Sequence, residues 1–267
     1  MLRRPFIPAA VLAGATALGT STATQAAIVT LTVTAENLAP VNSVSFAPLH
    51  FGFNNGTFDA FNNGQTPGAP IISIAEGGSG SAWQPAFAAA DPTATRGTIP
   101  GAVIPGGSSM LSVTIDTAIN QFFTFASMVV PSNDLFIGND SATRFRVFDT
   151  AGNLLINSIG QRGSDIWDAG SEIADPAAAA FVVGGTNSLR TPQNGVVSFS
   201  FAELNAFNGL TTAAGYVFNN TLTASTDIYR ISFAVLRVPE PGMISLLAAS
   251  FIGLGWVARR RKGSPTA

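Results

Sequence analysis

Acidic residues are concentrated in one part of this chain. Of its fifteen Asp and Glu residues, seven lie within residues 134–175: Asp134, Asp140, Asp149, Asp165, Asp168, Glu172 and Asp175. Carboxylates, main-chain carbonyls and water are the hard oxygen ligands that a divalent cation such as calcium prefers. Aspartates next to Gly and Pro also cap solvated turns. The segment is therefore either a cation site or a set of ordinary turn residues.

The rest of the composition excludes several other kinds of site. The chain has no cysteine, so a disulfide, a thiol nucleophile and a thiolate zinc site are impossible. His50 is the only histidine and lies between Leu49 and Phe51, which is typical of a packed structural histidine. Residues 28–238 carry seven arginines against fourteen acidic residues, a formal charge of −7. Such a surface disfavours nucleic acid and favours cations as partners.

Two alternative functions use other residues. A glycosidase needs two carboxylates, and Asp165 with Asp168 is a possible pair, although nothing in the sequence marks an apolar pocket around either. A carbohydrate-binding module needs exposed aromatic side chains, for which Trp83 and Trp167 are the candidates. Both tryptophans are equally compatible with a place in the core.

The first 27 residues have the order of a secretory signal peptide. Arg3 and Arg4 precede an apolar run over residues 5–18, and small residues lead to Ala26 and Ala27. We expect residues 1–27 to be removed and the protein to be exported.

Residues 239–267 have the order of a sorting signal. Pro239, Glu240 and Pro241 precede an apolar run over residues 243–258, and the basic stop signal follows: Arg259, Arg260, Arg261 and Lys262. This ending resembles the PEP-CTERM signal of Gram-negative bacteria. The resemblance implies transient insertion in the inner membrane, cleavage by an exosortase, and release to the cell surface or the extracellular space. A simple C-terminal membrane anchor has the same hydropathy.

The segment between these ends predicts a single all-β domain over residues 28–238. Period-two alternation marks about eight strands, and Gly- and Asn-rich turns separate them. We therefore expect an antiparallel eight-stranded β-sandwich, flanked by the signal peptide and the apolar sorting helix. Short helices are expected at residues 71–76 and 175–183. The predicted strands are 28–34, 41–46, 110–115, 122–130, 144–148, 154–158, 196–201 and 228–238.

Two strings within the acidic segment are similar to a known family. Residues 128–138 read MVVPSNDLFIG, and residues 167–172 read WDAGSE. Both resemble the spondin N-terminal domain, in which a strand ends in Val-Pro-Ser before an Asp, and an aromatic-Asp-Ala-Gly turn follows later. Residues 49–50, 58–68 and 74–78 resemble the family's first long connection. The chain lacks the cysteines of animal spondins.

The spondin resemblance implies a fold, a metal site and a type of function. The fold is an eight-stranded antiparallel sandwich, and the metal is calcium, held by Asp134, Asp168 and Glu172. The implied function is non-catalytic adhesion or matrix association, with surface proteins as partners. The PEP-CTERM resemblance implies exopolysaccharide as the other partner, because that signal accompanies exopolysaccharide production. Asp134 lies just beyond the strand predicted at residues 122–130, while Asp168 and Glu172 flank the Ala169–Ser171 turn.

Overall fold

The computed structural model describes residues 28–236. The predicted signal peptide (1–27), the sorting motif (239–241), the apolar run and the basic stop signal (259–262) all lie outside the described residues. No helix among residues 28–236 is long and apolar enough to cross a membrane.

The described chain is mostly β-structure arranged in two antiparallel sheets. The strands are β1 (Ile28–Asn37), β2 (Ser45–Phe46), β3 (Leu49–Asn54), β4 (Thr95–Ile99), β5 (Ser108–Asp116), β6 (Phe122–Val130), β7 (Leu135–Gly138), β8 (Ser158–Arg162), β9 (Trp167–Asp168), β10 (Ser198–Phe199) and β11 (Asp227–Leu236). Helices α1 (Ala69–Ala75) and α2 (Trp83–Ala90) lie between β3 and β4. Three short 3-10 helices cover Gly163–Asp165, Asn187–Leu189 and Ala202–Phe207.

The four-stranded sheet has the order β5-β1-β11-β8, and the second sheet has the order β10-β9-β7-β6-β3-β4, with β2 paired to β6. In β1, buried and partly exposed residues alternate, as expected for a strand with one face on a core. In β6, eight of the nine residues are buried. This strand lies in the middle of its sheet and is covered on both faces.

Phenylalanine rings fill the space between the two sheets. The ring of Phe123 on β6 lies 4.9 Å from Phe53 on β3 and 5.0 Å from Phe233 on β11, measured between centroids. All three rings are buried in one continuous apolar cluster.

The two α-helices cover the outer face of the second sheet. Helix α1 begins with Pro70 in its first turn, where proline loses no helical hydrogen bond. Helix α2 buries Trp83 and Phe87, and the ring of Phe87 stacks on Phe58 at 4.1 Å. These side chains form a second apolar cluster with Phe136 and Trp167. The strands of this sheet are mostly buried because the helices cover one face and the four-stranded sheet covers the other.

Several predicted elements differ from the observed ones. Within residues 28–236 there are eleven strands rather than eight, because β3, β4, β7 and β9 were not predicted and one predicted strand, 144–148, does not form. Residues 144–148 and 154–158 make only isolated bridges and the start of β8. The helix predicted at 175–183 is wrong, since this segment is a series of turns that ends with Phe181 at φ +65°. The helix expected at residues 71–76 corresponds to α1.

The molecule has two distinct ends. Thr30 pairs with Leu236, so both described chain ends lie at the same end of the four-stranded sheet. At the other end of β1, the Asn37 side-chain amide donates to the carbonyls of Val44 and Val103. Val130, the last residue of β6, pairs with Ser45 at this far end. The turn between β6 and β7 is therefore opposite the chain ends.

Candidate functional site

Asn133 organises the turn between β6 and β7. Its main-chain N–H donates to Glu203 Oε1 (3.0 Å), and its side-chain amide donates to Glu172 Oε1 (3.0 Å). The same amide donates to the Asp175 carbonyl, and Asn133 Oδ1 accepts from the Asp175 N–H. One buried asparagine thus connects three loops that are distant in sequence.

Asp134 is almost completely buried next to this asparagine. Its Oδ2 accepts three hydrogen bonds, from the N–H and hydroxyl of Ser171 (2.7 and 3.1 Å) and from the N–H of Glu172 (2.9 Å). Its Oδ1 is buried and has no hydrogen-bond partner among the described residues. Burial raises the pKa of Asp134 to about 6, and the negative charge of Asp168 adds to the rise.

Asp168 is brought beside Asp134 by sheet pairing. It ends strand β9 and pairs with Leu135, the first residue of β7. Its Oδ1 accepts from the N–H of Gly170 at 2.7 Å. Gly170 has φ +66°, and a Cβ there would lie 2.7 Å from the Val196 carbonyl, so only glycine fits this turn. Burial raises the pKa of Asp168 above its ordinary value.

Glu172 follows the same turn and is also buried. Its Oε1 accepts from Asn133, while its Oε2 is buried with no partner among the described residues. Burial is the main cause that raises the pKa of Glu172 to about 7, and the charges of Glu76 and Asp134 add to it. A buried acceptor without a hydrogen-bond partner costs about 1–3 kcal/mol. Binding of a hydrogen-bond donor or a cation at this oxygen would therefore stabilise the fold.

Glu203 is a fourth carboxylate that the sequence interpretation missed. It lies on the 3-10 helix Ala202–Phe207 and accepts from the Asn133 N–H. Its pKa is raised to about 8, mainly by burial and in smaller part by the charges of Asp134, Asp168 and Glu172. A signal existed, because Glu203 is the only charged residue between Arg190 and Asp227. We call Asp134, Asp168, Glu172 and Glu203 the acidic cluster.

Three other acidic residues of the 134–175 segment cap turns instead. Asp149 accepts from the side-chain amide and the N–H of Asn153 and from the N–H of Ala151, which lowers its pKa. Asp165 accepts from the Arg162 N–H, and Asp175 accepts from the Ala177 N–H. The turn-capping interpretation is therefore correct for these three residues.

The acidic cluster agrees in part with a calcium site. Its two partnerless buried oxygens, on Asp134 and Glu172, and its oxygen-only donors match what calcium prefers. However, no group of three or more acidic, histidine or cysteine side chains within residues 28–236 is arranged to hold a metal ion. A cation bound here would need main-chain carbonyls or water among its six to eight ligands.

A cleft of about 560 Å³ opens beside the acidic cluster. Its lining includes Ser171 and Glu172, Ile72 of α1, and Glu76, which directly follows this helix. Arg190 forms an ion pair with Glu76 at its rim. Of the acidic cluster, only Glu172 lines this cleft, so the other three carboxylates do not face a ligand held there.

His50 and the two tryptophans are structural. The His50 Nε2 donates to the Gly78 carbonyl (3.1 Å), and Nδ1 is 3.1 Å from the Thr98 hydroxyl. Burial lowers the pKa of His50. Trp83 and Trp167 are 0% and 3% exposed, so their suggested role as exposed sugar-binding rings is wrong. The apolar layer between helices and sheet buries both.

Comparison with known proteins adds no relative. No protein-family model matches the chain, and no curated protein matches it.

Proposed function

We propose that this chain is an exported, non-catalytic protein of the cell surface or extracellular matrix. It acts in adhesion or binding next to exopolysaccharide, through a spondin-like domain that calcium stabilises. The observation that carries the calcium proposal is the pair of buried, partnerless oxygens on Asp134 and Glu172. The strings 128–138 and 167–172, which carry the spondin resemblance, supply these two residues and Asp168.

Export is proposed from the two ends of the sequence. Residues 1–27 read as a signal peptide, and residues 239–267 read as a PEP-CTERM signal that an exosortase would cut. In this proposal the protein crosses the inner membrane of a Gram-negative bacterium and is anchored there before processing. Its partners are then exopolysaccharide or surface proteins, and the negative charge of residues 28–238 disfavours nucleic acid.

The calcium proposal is tested by thermal unfolding. A ligand at 100 times its Kd adds about 2.7 kcal/mol to the free energy of unfolding, so millimolar calcium should raise the Tm and chelator should reverse the rise. Asp168→Asn should lose most of this response and should raise the Tm of the calcium-free protein, because it removes one of the mutually repelling charges. Asp59→Asn, at an exposed residue outside the acidic cluster, is the matched control and should respond as the wild type does.

If wild type and Asp168→Asn have the same Tm with and without calcium, the acidic cluster holds no stabilising cation. Asp134 and Glu172 would then be protonated or hydrated acids at a loop junction.

A two-carboxylate glycosidase is the alternative enzyme function. The pair suggested from the sequence gains no support, because Asp165 caps Arg162 while Asp168 caps the Gly170 turn. The raised pKa values of Glu172 and Glu203 are compatible with a general acid, and this is the observation in favour of an enzyme. Release of reducing sugar from a polysaccharide panel, abolished by Glu172→Gln, would establish the glycosidase and contradict our proposal.

A further inference from the structure

Phe199 is an exposed aromatic ring in an unusual setting. It lies on β10, the edge strand of the second sheet, and 53% of the residue is exposed. One face of its ring stacks on buried Trp167, with centroids 3.6 Å apart and an interplanar angle of 26°. Trp167 is itself held by a hydrogen bond from its Nε1 to the Gly138 carbonyl. The exposed ring is therefore fixed in orientation without being covered.

Polar groups line two depressions that border this ring. One is a small depression shared with Asp140, Arg144 and Asp165. The other is a cleft of about 490 Å³ that is also lined by Ser164 and Asn205. Such a volume is within the range of small-ligand sites, in which an apolar surface binds and a few polar groups orient.

The chemistry of these neighbours selects the ligand class. A nucleobase also stacks on an exposed ring, but the formal charge of −7 on residues 28–238 repels phosphates. The core of a protein interface is depleted of charged residues, whereas Asp140, Arg144 and Asp165 border Phe199. A sugar ring has an apolar C–H face for the aromatic ring and hydroxyls that both donate to Asp140 and accept from Arg144. Two aspartates against one arginine favour a neutral sugar over an acidic one.

We propose that Phe199 and the polar side chains around it form a binding site for a neutral glycan chain. This inference rests on the proposed function as an exported binding protein and names the ligand class of that function. In this proposal the sugar-binding aromatic residue is the exposed Phe199, and the buried Trp167 supports it from behind.

The test is affinity electrophoresis of the full chain in gels that contain dextran, starch, galactomannan or alginate. We expect at least one neutral polysaccharide to slow the wild type. Phe199→Ala should weaken this retention at least tenfold, and Phe199→Tyr, which keeps a ring, should retain it. Phe181→Ala is the matched control, because Phe181 is 42% exposed and lies outside both clefts. It should migrate as the wild type does.

Three results would overturn the inference: no retention of the wild type by any neutral polysaccharide, equal retention of wild type and Phe199→Ala, or retention by alginate alone. The change in Tm on adding calcium distinguishes failure of the glycan inference from failure of the proposed function. If calcium still raises the Tm of Phe199→Ala, the variant is folded and its loss of retention belongs to the glycan site. If the wild type is retained but calcium has no effect on its Tm, the glycan site stands and the calcium proposal fails.

Discussion

Four carboxyl groups lie close enough to influence one another at the end of the molecule opposite its chain ends. Asp134, Glu172 and Glu203 have pKa values raised to about 6, 7 and 8, and burial is the largest cause in each case. Groups like these are costly for a fold unless a proton or a cation neutralises them. We therefore expect the stability of the calcium-free protein to depend on the protonation of the acidic cluster.

The pH dependence of calcium-free protein follows from these pKa values. A carboxyl with a higher pKa in the folded state binds its proton more tightly there, so stability rises as pH falls through that pKa. Between pH 8.5 and 6.5, Glu203 and Glu172 should take up protons, and the Tm in chelator should increase. The lowered pKa of His50 has the opposite effect, but only below about pH 6.5, the ordinary histidine pKa.

Differential scanning calorimetry in chelator at several pH values checks this prediction. Glu203→Gln should raise the Tm at pH 8.5 and flatten its pH dependence, since the variant has no charge to neutralise. A wild-type Tm that is constant or decreases from pH 8.5 to 6.5 would show that the acidic cluster is better solvated than its burial indicates.

Among individual residues, the sequence identified three of the four carboxylates in the acidic cluster. Asp134, Asp168 and Glu172 were found because they lie in two recognisable strings. Glu203 was missed because its contact with Asn133 joins residues seventy positions apart. Such pairing depends on how a loop returns to the sheet, which local patterns do not contain. Phe199 was missed for a similar reason, since its exposure depends on its place at a sheet edge.

Among the elements, the packing of α2 on β3 depends on one glycine. A Cβ at Gly52 would lie 2.2 Å from the ring of Phe87, and this ring cannot move away because Phe58 and Trp83 enclose it. Gly52→Ala should therefore lower the free energy of unfolding by about 1–3 kcal/mol, as overpacking does.

Gly160 provides the matched control for this substitution. It also lies within a strand, β8, but a Cβ there meets nothing within 4 Å. Gly160→Ala should be neutral or slightly stabilising, because alanine reduces the entropy of the unfolded chain. Urea unfolding of both variants measures the difference. Equal stabilities would mean that α2 is not packed against β3 as described.

Long elements were predicted better than short ones. Strand β6 was predicted with its observed bounds, and β1, β5 and β11 were found within a few residues, since each repeats its pattern over nine or ten positions. Strands β3, β7 and β9 were missed because they are short and almost wholly buried, so they show no alternation. Strand β4 was missed because it buries only Ile99 among its five residues. Helix α2 was missed because its buried face is defined by only two aromatic residues.

For the whole molecule, we predict that the mature protein lacks both ends of the sequence. Intact-mass measurement on protein from the native host should find a species that starts near Ile28 and ends near the 239–241 motif. Replacing Pro239, Glu240 and Pro241 by alanine should preserve the N-terminal cleavage and leave the C-terminal tail in place. Recovery of a main species that still contains Met1 and Lys262 would contradict both processing steps.

The pairing of Thr30 with Leu236 has a mechanical consequence. If the chain is held at its C-terminal end while a ligand pulls on the opposite end, tension passes lengthwise along β11. This strand is hydrogen-bonded on both sides, to β1 and to β8, and the bonds of an antiparallel ladder lie across the pulling direction. These hydrogen bonds would have to break together in shear instead of one at a time. The strand next to the C-terminal attachment is therefore also the strand best placed to resist force.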